Sequence, residues 1–598
     1  MKTFFASLGG AVIGSILGLF LLFFIGTAMI QFAINDAISS ASGPATGQDD
    51  GNAIVLTLDL RSGYADQAAT TGPEVFFGGG TGFIDVITNL EAAAKDDQVK
   101  GLFIRGSETG VGSSRAEEYR DAFLEFKAAG KFIIAHSQGT YTGGPSAYRT
   151  IASADEIWAQ PGTDLIASGV VFETLFLGGL FENLSVTPEF EALYEYKNAV
   201  NTFEETDYTE SHRLAMTELA ESLWNISLTD IAADRGMSTA EIRAILETTP
   251  MGAEEMVRTN LATSLGWPEE ALDAALERAG PGSIAIDIDS YAAPTSPFGS
   301  PVIAIVGGQG AIITGGAGGS FLQEGSGFAS DTIAESLLAA GRDEDVQAIV
   351  FRVDSGGGSP SASDQIWRAI ERIQEEQNKP VIVSMASVAA SGGYYVSAGA
   401  DWIMANRSTI TGSIGIFGGK FAIEEGLARV GVNAESIKVG GDFAGAFTTT
   451  EMLTDSQRAA MLAWLERGYD RFTTIVAEGR GLSLNQLDQV ARGRVWSGQD
   501  ALSNGLVDEL GGLTAAISKA KELANIESDV QVRLVTYPMA DAAFPFLGAS
   551  AGASVEELKA FGELARIVND PEIQALLSEV EAARNSRIQA RMPTLIER

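Results

Sequence analysis

The longest uninterrupted apolar segment of the 598-residue chain lies near its start, and the rest alternates short apolar runs with amphipathic stretches. Residues 10–30 carry no charged side chain, and about 20 apolar residues are enough to cross a bilayer as a helix. Lys2 precedes this segment and Asp36 follows it. We therefore predict a transmembrane anchor within residues 1–35, with the bulk of the chain on the outer side. A signal peptide cleaved near residues 39–41 is the alternative.

The remaining chain contains one pattern twice. It follows a polar stretch over residues 36–51 that we predict to be a flexible linker. AAKDDQVKGLFIRG in the first half matches GRDEDVQAIVFRVDSGGGS in the second, and Ala154-Asp155 matches Ala400-Asp401. The repeat distance of about 246 residues is far too long for a solenoid. It indicates a duplicated domain.

Each copy alternates buried strands with amphipathic helices. VQAIVFRV and PVIVSMA are continuous apolar runs typical of strands buried on both faces, and SASDQIWRAIERIQEEQ has helical spacing. This alternation predicts an α/β architecture with largely parallel strands. We place the two copies at residues 52–292 and 300–540, and the amphipathic spacing within residues 541–598 predicts a helical tail.

Composition narrows the possible chemistry. A formal charge of −38 argues against nucleic acid as a partner, because a phosphate backbone is bound by clustered Lys and Arg. The absence of cysteine excludes thiol proteases, zinc fingers and iron–sulfur centres. His136 and His212 are the only histidines, and neither lies in a glycine-rich turn. No acidic cluster has the character of a metal site, so we expect neither a metal nor a cofactor.

Two glycine-rich turns of the second copy follow predicted strands, at residues 355–359 and 390–393. The N–H groups of such turns face a ligand or a developing anion, which suits Ser391 as a nucleophile. The local pattern alone favours the alternative that Ser391 is an ordinary helix N-cap. A lysine can act as the base if burial lowers its pKa. The Ser-x-x-Lys pattern of Ser518 and Lys521 lies on a charged helix, and we attribute it to chance.

The second copy resembles the signal peptide peptidase A family, in the long, tandem-domain form of these membrane-anchored serine–lysine peptidases. The matching stretches are VFRVDSGGGSPSASDQIWRAI, PVIVSMASVAASGGYYVSAGAD and STITGSIGIFGGKFAIEEGLARVGV. The first copy matches through ASADEIWAQPG and EALYEYKNAVNTFEE. The resemblance covers the anchor and nearly all of residues 52–530. It implies tandem ClpP/crotonase-like domains behind an N-terminal transmembrane helix.

The resemblance also implies roles for individual residues. Ser391 falls on the nucleophile of the family and Lys197 on its general base. Ser413 falls on the residue whose hydroxyl orients the lysine. The backbone N–H groups of Gly392 and Gly357 would form the oxyanion hole.

The two copies complement each other at these positions. Counting through the repeat, Pro145 occupies the position of Ser391, and glycines of IKVGGDFAGAFTT occupy that of Lys197. A site assembled between the two domains would produce this pattern. One departure from the family is Gly356, which replaces the usual proline and makes the turn looser.

The resemblance implies a serine endopeptidase that hydrolyses remnant signal peptides and other short apolar peptides. It implies a homotetramer in which neighbouring subunits supply the serine and the lysine. The expected location is the bacterial inner membrane, crossed once by residues 10–30, with the catalytic part on the periplasmic side. Two alternatives are a non-catalytic membrane-tethered scaffold and a crotonase-like acyl-CoA enzyme. The latter needs a carboxylate such as Asp354 near the amides.

Overall fold

The computed structural model describes residues 52–66, 81–140, 144–291, 293, 296–297, 299–316, 327–538, 588–591 and 596–597. The predicted anchor, the predicted linker and most of the predicted helical tail lie outside these ranges. Within them, no helix has both the length and the apolar character that a bilayer crossing requires.

The first half of the chain forms a six-stranded parallel sheet with helices on both faces, and its strand order is β10-β1-β2-β3-β4-β9. The strands of this half are β1 Ile54–Asp59, β2 Val99–Arg105, β3 Phe132–Ser137, β4 Glu156–Ala159, β5 Asp164–Leu165, β6 Phe172–Glu173, β7 Thr187–Ala192, β8 Met251–Gly252, β9 Ser264–Leu265 and β10 Ile284–Asp287. Its helices are α1 Phe83–Lys95, α2 Ser113–Ala128, α3 Gly144–Ile151, α4 Gly178–Leu184, α5 Asn201–Glu204, α6 Glu210–Arg235, α7 Thr239–Leu246, α8 Ala253–Arg258 and α9 Pro268–Ala279, with 3₁₀ turns at Asn198–Val200 and Ile288–Ser290.

The second half repeats this plan. Its strands are β11 Val302–Gln309, β12 Val346–Ser355, β13 Gly357–Gly358, β14 Val381–Ala390, β15 Trp402–Ala405, β16 Ile410–Gly412, β17 Phe417–Ala422, β18 Val495–Ser497, β19 Glu509–Leu510, β20 Arg533–Tyr537, β21 Ile588–Arg591 and β22 Ile596–Glu597. Its helices are α10 Ser330–Arg342, α11 Pro360–Gln377, α12 Gly392–Ser397, α13 Glu424–Arg429, α14 Asp455–Arg480, α15 Leu484–Asp488, α16 Gly498–Ser503 and α17 Leu513–Leu523. The parallel order β20-β11-β12-β14-β15-β19 matches that of the first half, and β16 with β18 extends the sheet beside β14.

The longest helices show the duplication in detail. α6 and α14 each have 26 residues, and each is capped at its start by a threonine side chain, Thr209 or Thr454. Each ends before a glycine in the left-handed conformation, Gly236 or Gly481. Such glycines end helices without the steric cost that a Cβ would bring. The sequence-based prediction of a duplicated α/β domain is therefore confirmed at the level of individual caps.

A third sheet joins the two halves, with the antiparallel order β13-β21-β17-β7. β7 comes from the first half and pairs along six residues with β17 of the second, from Phe417↔Ala192 to Ala422↔Thr187. This pairing carries the chain that follows β7 to the edge of the second parallel sheet.

Residues 588–591 differ from the sequence-based prediction. The amphipathic spacing of DPEIQALLSEVEAARNSRIQAR predicts a helix through Arg591, whereas Ile588–Arg591 is the strand β21, and Ile596–Glu597 also forms a short strand. Backbone pairing with β13 and β17 outweighs local helix propensity here, because propensity differences between ordinary residues amount to only tenths of a kcal/mol.

Buried charges link the halves a second time. Glu117 on α2 accepts hydrogen bonds from Arg149 of its own half and from Arg407 and Ser408 of the other. Burial alone would raise the pKa of the Glu117 carboxyl, but the two guanidinium groups lower it to about 2. Arg352, a fully buried residue of β12, donates to the Glu118 carboxylate of the first half at 2.7 Å. Removing one partner of such a group leaves an uncompensated buried charge, so the cluster favours one relative placement of the halves.

Candidate active site

Ser391 and Ser413 stand at the same edge of the second parallel sheet. Ser391 follows β14, Ser413 follows β16, and these neighbouring parallel strands end with the pair Ala390↔Gly412. The Ser391 N–H donates to the Gly412 carbonyl at 2.8 Å. The carboxyl edge of a parallel sheet is where ligands of α/β proteins commonly bind.

Both serines have a strained backbone. Ser391 has φ 54° and ψ −115°, and Ser413 has φ 49°. Positive φ costs a residue with a side chain on the order of 1–3 kcal/mol and is retained where the surrounding structure fixes it. Ser391 stands at the N-cap position of α12, but its hydroxyl makes no capping hydrogen bond. The N-cap alternative therefore describes its position and leaves its hydroxyl for another partner.

That partner is Lys197, which belongs to the first half and follows β7. Its Nζ lies 2.8 Å from Ser391 Oγ and 3.1 Å from both the carbonyl oxygen and Oγ of Ser413. All three residues are buried, with Lys197 only 2% exposed. The structure thus brings the predicted nucleophile, base and orienting serine into contact.

Burial determines the electrostatics of the site. Burial lowers the pKa of the Lys197 amine well below its ordinary value of 10.5. The three oxygen atoms around Nζ are all uncharged, so they do not stabilise an ammonium as a carboxylate would. Lys420 is a second buried lysine, and burial lowers its pKa too, but the Glu189 carboxylate, 3.9 Å away, partly offsets that effect.

The lysine and the serine belong to one chain. The expectation that neighbouring subunits supply them is wrong for this structure, because β7 of the first half pairs with β17 of the second half of the same chain. A complete serine–lysine pair is present in each protomer.

Gly357, the predicted second oxyanion donor, is engaged in the structure. The N–H of Gly357 donates to Ser355 Oγ at 3.0 Å and is therefore occupied. The nitrogen of Gly358 instead lies beside Gly392, 3.0 Å from the position that a Cβ on Gly392 would take. Gly392 opens α12, where N–H groups lack intrahelical acceptors. The geometry favours the N–H of Gly358 over that of Gly357 as the second oxyanion donor.

The first copy lacks a nucleophile at the equivalent place. Tyr148 on α3 and Tyr394 on α12 make matching hydrogen bonds to leucine carbonyls, at 2.6 and 2.7 Å. Counting three residues back from each tyrosine gives Pro145 and Ser391. This agrees with the sequence-based register, in which Pro145 replaces the serine.

The other candidates lie elsewhere. His136 is buried in β3, with its Nε2 bonded to the Gly266 carbonyl at 3.2 Å, and His212 lies in the first turn of α6. Burial lowers the pKa of both imidazoles to about 4. Ser518 bonds to a carbonyl of its own helix, α17. In the part of the chain that the structure describes, no group of acidic and histidine side chains is arranged to hold a metal ion.

Asp354, the carboxylate that an acyl-CoA enzyme would need, is engaged in the structure. Its Oδ1 accepts the Val388 N–H at 3.0 Å and its Oδ2 accepts the side-chain amide of Gln309 at 3.3 Å. These bonds hold the carboxylate as a brace between β11, β12 and β14. They give no support to the acyl-CoA alternative.

Comparison with known proteins identifies the family to which this chain is similar. The family model described as Peptidase family S49 matches residues 125–280 and 373–527, once in each half. The chain is 28% identical over 513 residues to "Serine protease SPPA, chloroplastic" of Arabidopsis thaliana, covering 84% of this chain and 74% of that protein. It is 32% identical over 476 residues to "Protease 4" of Haemophilus influenzae, covering 75% of this chain and 74% of that protein. A third relative, the "Putative signal peptide peptidase SppA" of Enterococcus faecium, is 31% identical over 180 residues, covering 30% of this chain and 52% of that protein.

The duplicated α/β plan, the buried serine–lysine contact and these matches agree with one another. They favour a peptidase over the scaffold and acyl-CoA alternatives. The chain belongs to peptidase family S49 and is a serine peptidase.

Proposed function

We propose that this peptidase is a membrane-anchored endopeptidase that uses Ser391 and Lys197 to hydrolyse remnant signal peptides and other short apolar peptides. The observation that carries the catalytic assignment is the 2.8 Å contact between Lys197 Nζ and Ser391 Oγ in a buried site. A serine hydroxyl needs a base to take its proton, and a desolvated lysine can be neutral near neutral pH.

The hydrogen bonds around Lys197 suit both protonation states of its amine. A neutral amine has two N–H groups and one lone pair. The carbonyl and the hydroxyl oxygen of Ser413 can accept the two N–H groups, which leaves the lone pair for the Ser391 hydroxyl. After proton transfer the ammonium has three N–H groups for the same three neighbours. The amine therefore gains a proton without any rearrangement of its partners.

The reaction then proceeds through an acyl-enzyme. The Ser391 oxygen attacks the substrate carbonyl as Lys197 takes its proton, and the N–H groups of Gly392 and Gly358 stabilise the oxyanion. Loss of one such donor typically costs about 2.7–4 kcal/mol of transition-state stabilisation. The Lys197 ammonium protonates the leaving amine, and a water molecule, activated by the regenerated neutral amine, hydrolyses the ester.

Apolar surroundings and strand edges support a peptide substrate. Ile416, just before β17, packs with Leu193 and Tyr469, and Phe417 packs with Val200. β13 and β17 both pair along their backbones with the extended segment β21, and strand addition of this kind binds peptides through main-chain hydrogen bonds. The name of the Enterococcus faecium relative, a signal peptide peptidase, fits the same substrate class.

An assembly at the membrane is part of the proposal. Exposed apolar side chains cluster after α13, where Ile437 is 97% exposed and Val439 is 90% exposed. Such patches mark contacts with protein or lipid. We assign this patch to a homotetramer interface. We place the assembly on the periplasmic face of the bacterial inner membrane, held by a single span over residues 10–30, whose apolar length suits it.

Replacement of either partner tests the catalytic assignment. Ser391→Ala should abolish hydrolysis of a fluorogenic apolar peptide, and Lys197→Met should lower kcat/KM by about 100- to 10,000-fold, the usual contribution of a general base. Activity within tenfold of wild type in Lys197→Met would contradict the assignment.

The lowered pKa of Lys197 predicts how two quantities depend on pH: the rate of the wild-type enzyme and the difference in stability between Lys197→Met and wild type. The rate of wild type should rise with pH through the folded-state pKa of the lysine, well below 10.5, because only the neutral amine accepts a proton. Lys197→Met should be more stable than wild type near neutral pH, since methionine needs no desolvation of an amine. This gain should shrink as pH approaches 10.5, because the unfolded wild-type chain then loses its extra proton.

Urea unfolding of both proteins at several pH values, together with a pH–rate profile, measures these effects. Lys420→Met is the matched control. It removes a buried lysine that has a carboxylate neighbour, so it should lower stability near neutral pH. A gain for Lys197→Met that grows with pH would be inconsistent with a depressed lysine pKa.

Gly493 packs closely against the Lys197 backbone, so we expect activity to fall when a side chain is added at this glycine. A Cβ at Gly493 would lie 2.6 Å from the Lys197 backbone, and its φ is +85°. Gly493→Ala should therefore move the lysine and lower kcat/KM at least about tenfold, which is about 1.4 kcal/mol. Gly431→Ala is the control, because its φ of +80° gives the same strain with nothing within 4 Å. Equal activity in the two variants would refute the packing argument.

The assembly has its own test. Light scattering of the full chain in detergent should give four copies, and Ile437→Glu should give smaller species because it charges the proposed interface. Leu484→Glu, at an exposed position on α15 (59% exposed), should leave the mass unchanged. Membranes washed with alkaline carbonate should retain the full chain. A monomeric wild type, or its release by carbonate, would remove the tetramer or the anchor from the proposal.

A further inference from the structure

Lys197 lies in a connecting segment of the chain. It follows β7, which ends at Ala192, and it precedes the 3₁₀ turn Asn198–Val200. A side chain in such a segment needs support from its neighbours if its amine is to stay 2.8 Å from the Ser391 hydroxyl. Arg494, which immediately precedes β18, contacts the surroundings of the amine in two ways.

The main chain of Arg494 holds Ser413. Its carbonyl accepts the Ser413 N–H at 2.7 Å, next to the antiparallel pair Gly412↔Val495 of β16 and β18. Ser413 has positive φ, and both its carbonyl and its hydroxyl contact Lys197 Nζ. A strained residue retains its conformation where the surrounding structure fixes it. This hydrogen bond therefore helps to fix two of the three oxygen atoms around the amine.

The side chain of Arg494 reaches the segment that carries the lysine. Its guanidinium carbon lies 5.1 Å from the ring centre of Tyr196, the residue before Lys197, and 4.2 Å from the ring centre of Trp496. The guanidinium also donates to Glu218 on α6 of the first half. A guanidinium suits this arrangement, because it stacks on aromatic rings with its flat faces and donates hydrogen bonds in its own plane.

We propose that Arg494 is a positioning residue of the catalytic site, and this inference rests on the proposed function. Its carbonyl fixes Ser413, and its guanidinium fixes the backbone of Lys197 through the ring of Tyr196. Lys197 comes from the first half of the chain and Ser413 from the second. One residue therefore sets the distance between the amine and the oxygen atoms around it. Arg494 acts through these neighbours and takes no part in the bond changes.

Loss of the guanidinium should loosen the segment around Lys197. A displacement of about 1 Å at a catalytic group can lower a rate on the order of 100-fold. A looser segment also lets water reach the amine, and hydration raises the pKa of Lys197 toward its ordinary value of 10.5. A slower reaction and a changed dependence on pH should therefore occur together.

Steady-state kinetics of Arg494→Met on the fluorogenic apolar peptide test the proposal. We expect kcat to fall about 10- to 100-fold and KM to stay within about threefold of wild type. The rise of the rate with pH should move to higher pH, because a hydrated lysine loses its proton less readily. Arg278→Met is the matched control. Arg278 also lies over a ring, 4.6 Å from the centre of Phe132, and pairs with the Glu156 carboxylate at 3.2 Å, but it belongs to α9 beside the first sheet. Its kinetics and pH profile should match wild type.

Two substitutions at Tyr196 test the contact with the ring. Tyr196→Phe retains the ring face and should stay within about threefold of the wild-type kcat, whereas Tyr196→Leu should show both the loss in kcat and the pH shift of Arg494→Met. The double variant Tyr196→Leu, Arg494→Met should stay within about threefold of Arg494→Met alone, because both substitutions remove the same contact. Losses that add in the double variant would overturn the proposal.

The outcomes separate this inference from the proposed function. A wild-type kcat in Arg494→Met, or a lower kcat without the pH shift, overturns the positioning role and leaves the proposed function standing. If urea unfolding shows that Arg494→Met does not fold, Tyr196→Leu decides: wild-type kinetics overturn the proposal, and a lower kcat with the pH shift supports it. Full activity in Lys197→Met overturns the proposed function and this inference with it.

Discussion

An amine kept out of water is the constraint on which the rest of the site depends. Lys197 reaches a serine hydroxyl with only uncharged oxygen atoms around it, so nothing offsets the desolvation that lowers its pKa. A carboxylate in the same place would restore the ammonium and remove the base. The chain is strongly acidic overall, yet the three partners of the Lys197 amine are two hydroxyls and a carbonyl. Burying the amine lowers the stability of the folded chain, and proteins commonly lose stability where a reactive group requires it.

Duplication of the domain explains how such a site can be built. One parallel sheet supplies Ser391 and Ser413 at the ends of neighbouring strands. The first copy instead supplies Lys197 after β7, and β7 pairs with β17, so a backbone ladder delivers the amine. The buried ion cluster around Glu117 holds the two copies at the placement that this ladder needs. Each copy can then lack the residue that the other provides.

The sequence predicts the repeated strands and helices and the chemistry of the site better than it predicts the pairing of strands that are distant in the chain. Continuous apolar runs and helical spacing mark the parallel strands and their helices, because burial on both faces leaves that pattern in the residues themselves. Ser391, Lys197 and Ser413 were predicted through the family resemblance, and the structure places them in contact. We propose Gly358 rather than Gly357 as the second oxyanion donor, because the Gly357 N–H is bonded to Ser355 and the orientation of this turn depends on hydrogen bonds with Ile312, forty-five residues before Gly357. Whether one chain or two supply the pair depends on the β7–β17 ladder, and no local pattern encodes that pairing.

Residues 588–591 are a second case in which long-range strand pairing, and not the local pattern, determines the structure. Its sequence has helical spacing, yet two unsatisfied strand edges next to the active site take it as a partner. A peptidase that recognises substrates through their backbone must keep such edges open, and open edges accept any extended chain, including its own. Binding through the backbone selects for extended conformation and proximity more than for side chains, and a tethered segment supplies both. The backbone edges that we propose for peptide substrates are therefore paired, in this structure, with a segment of the same chain.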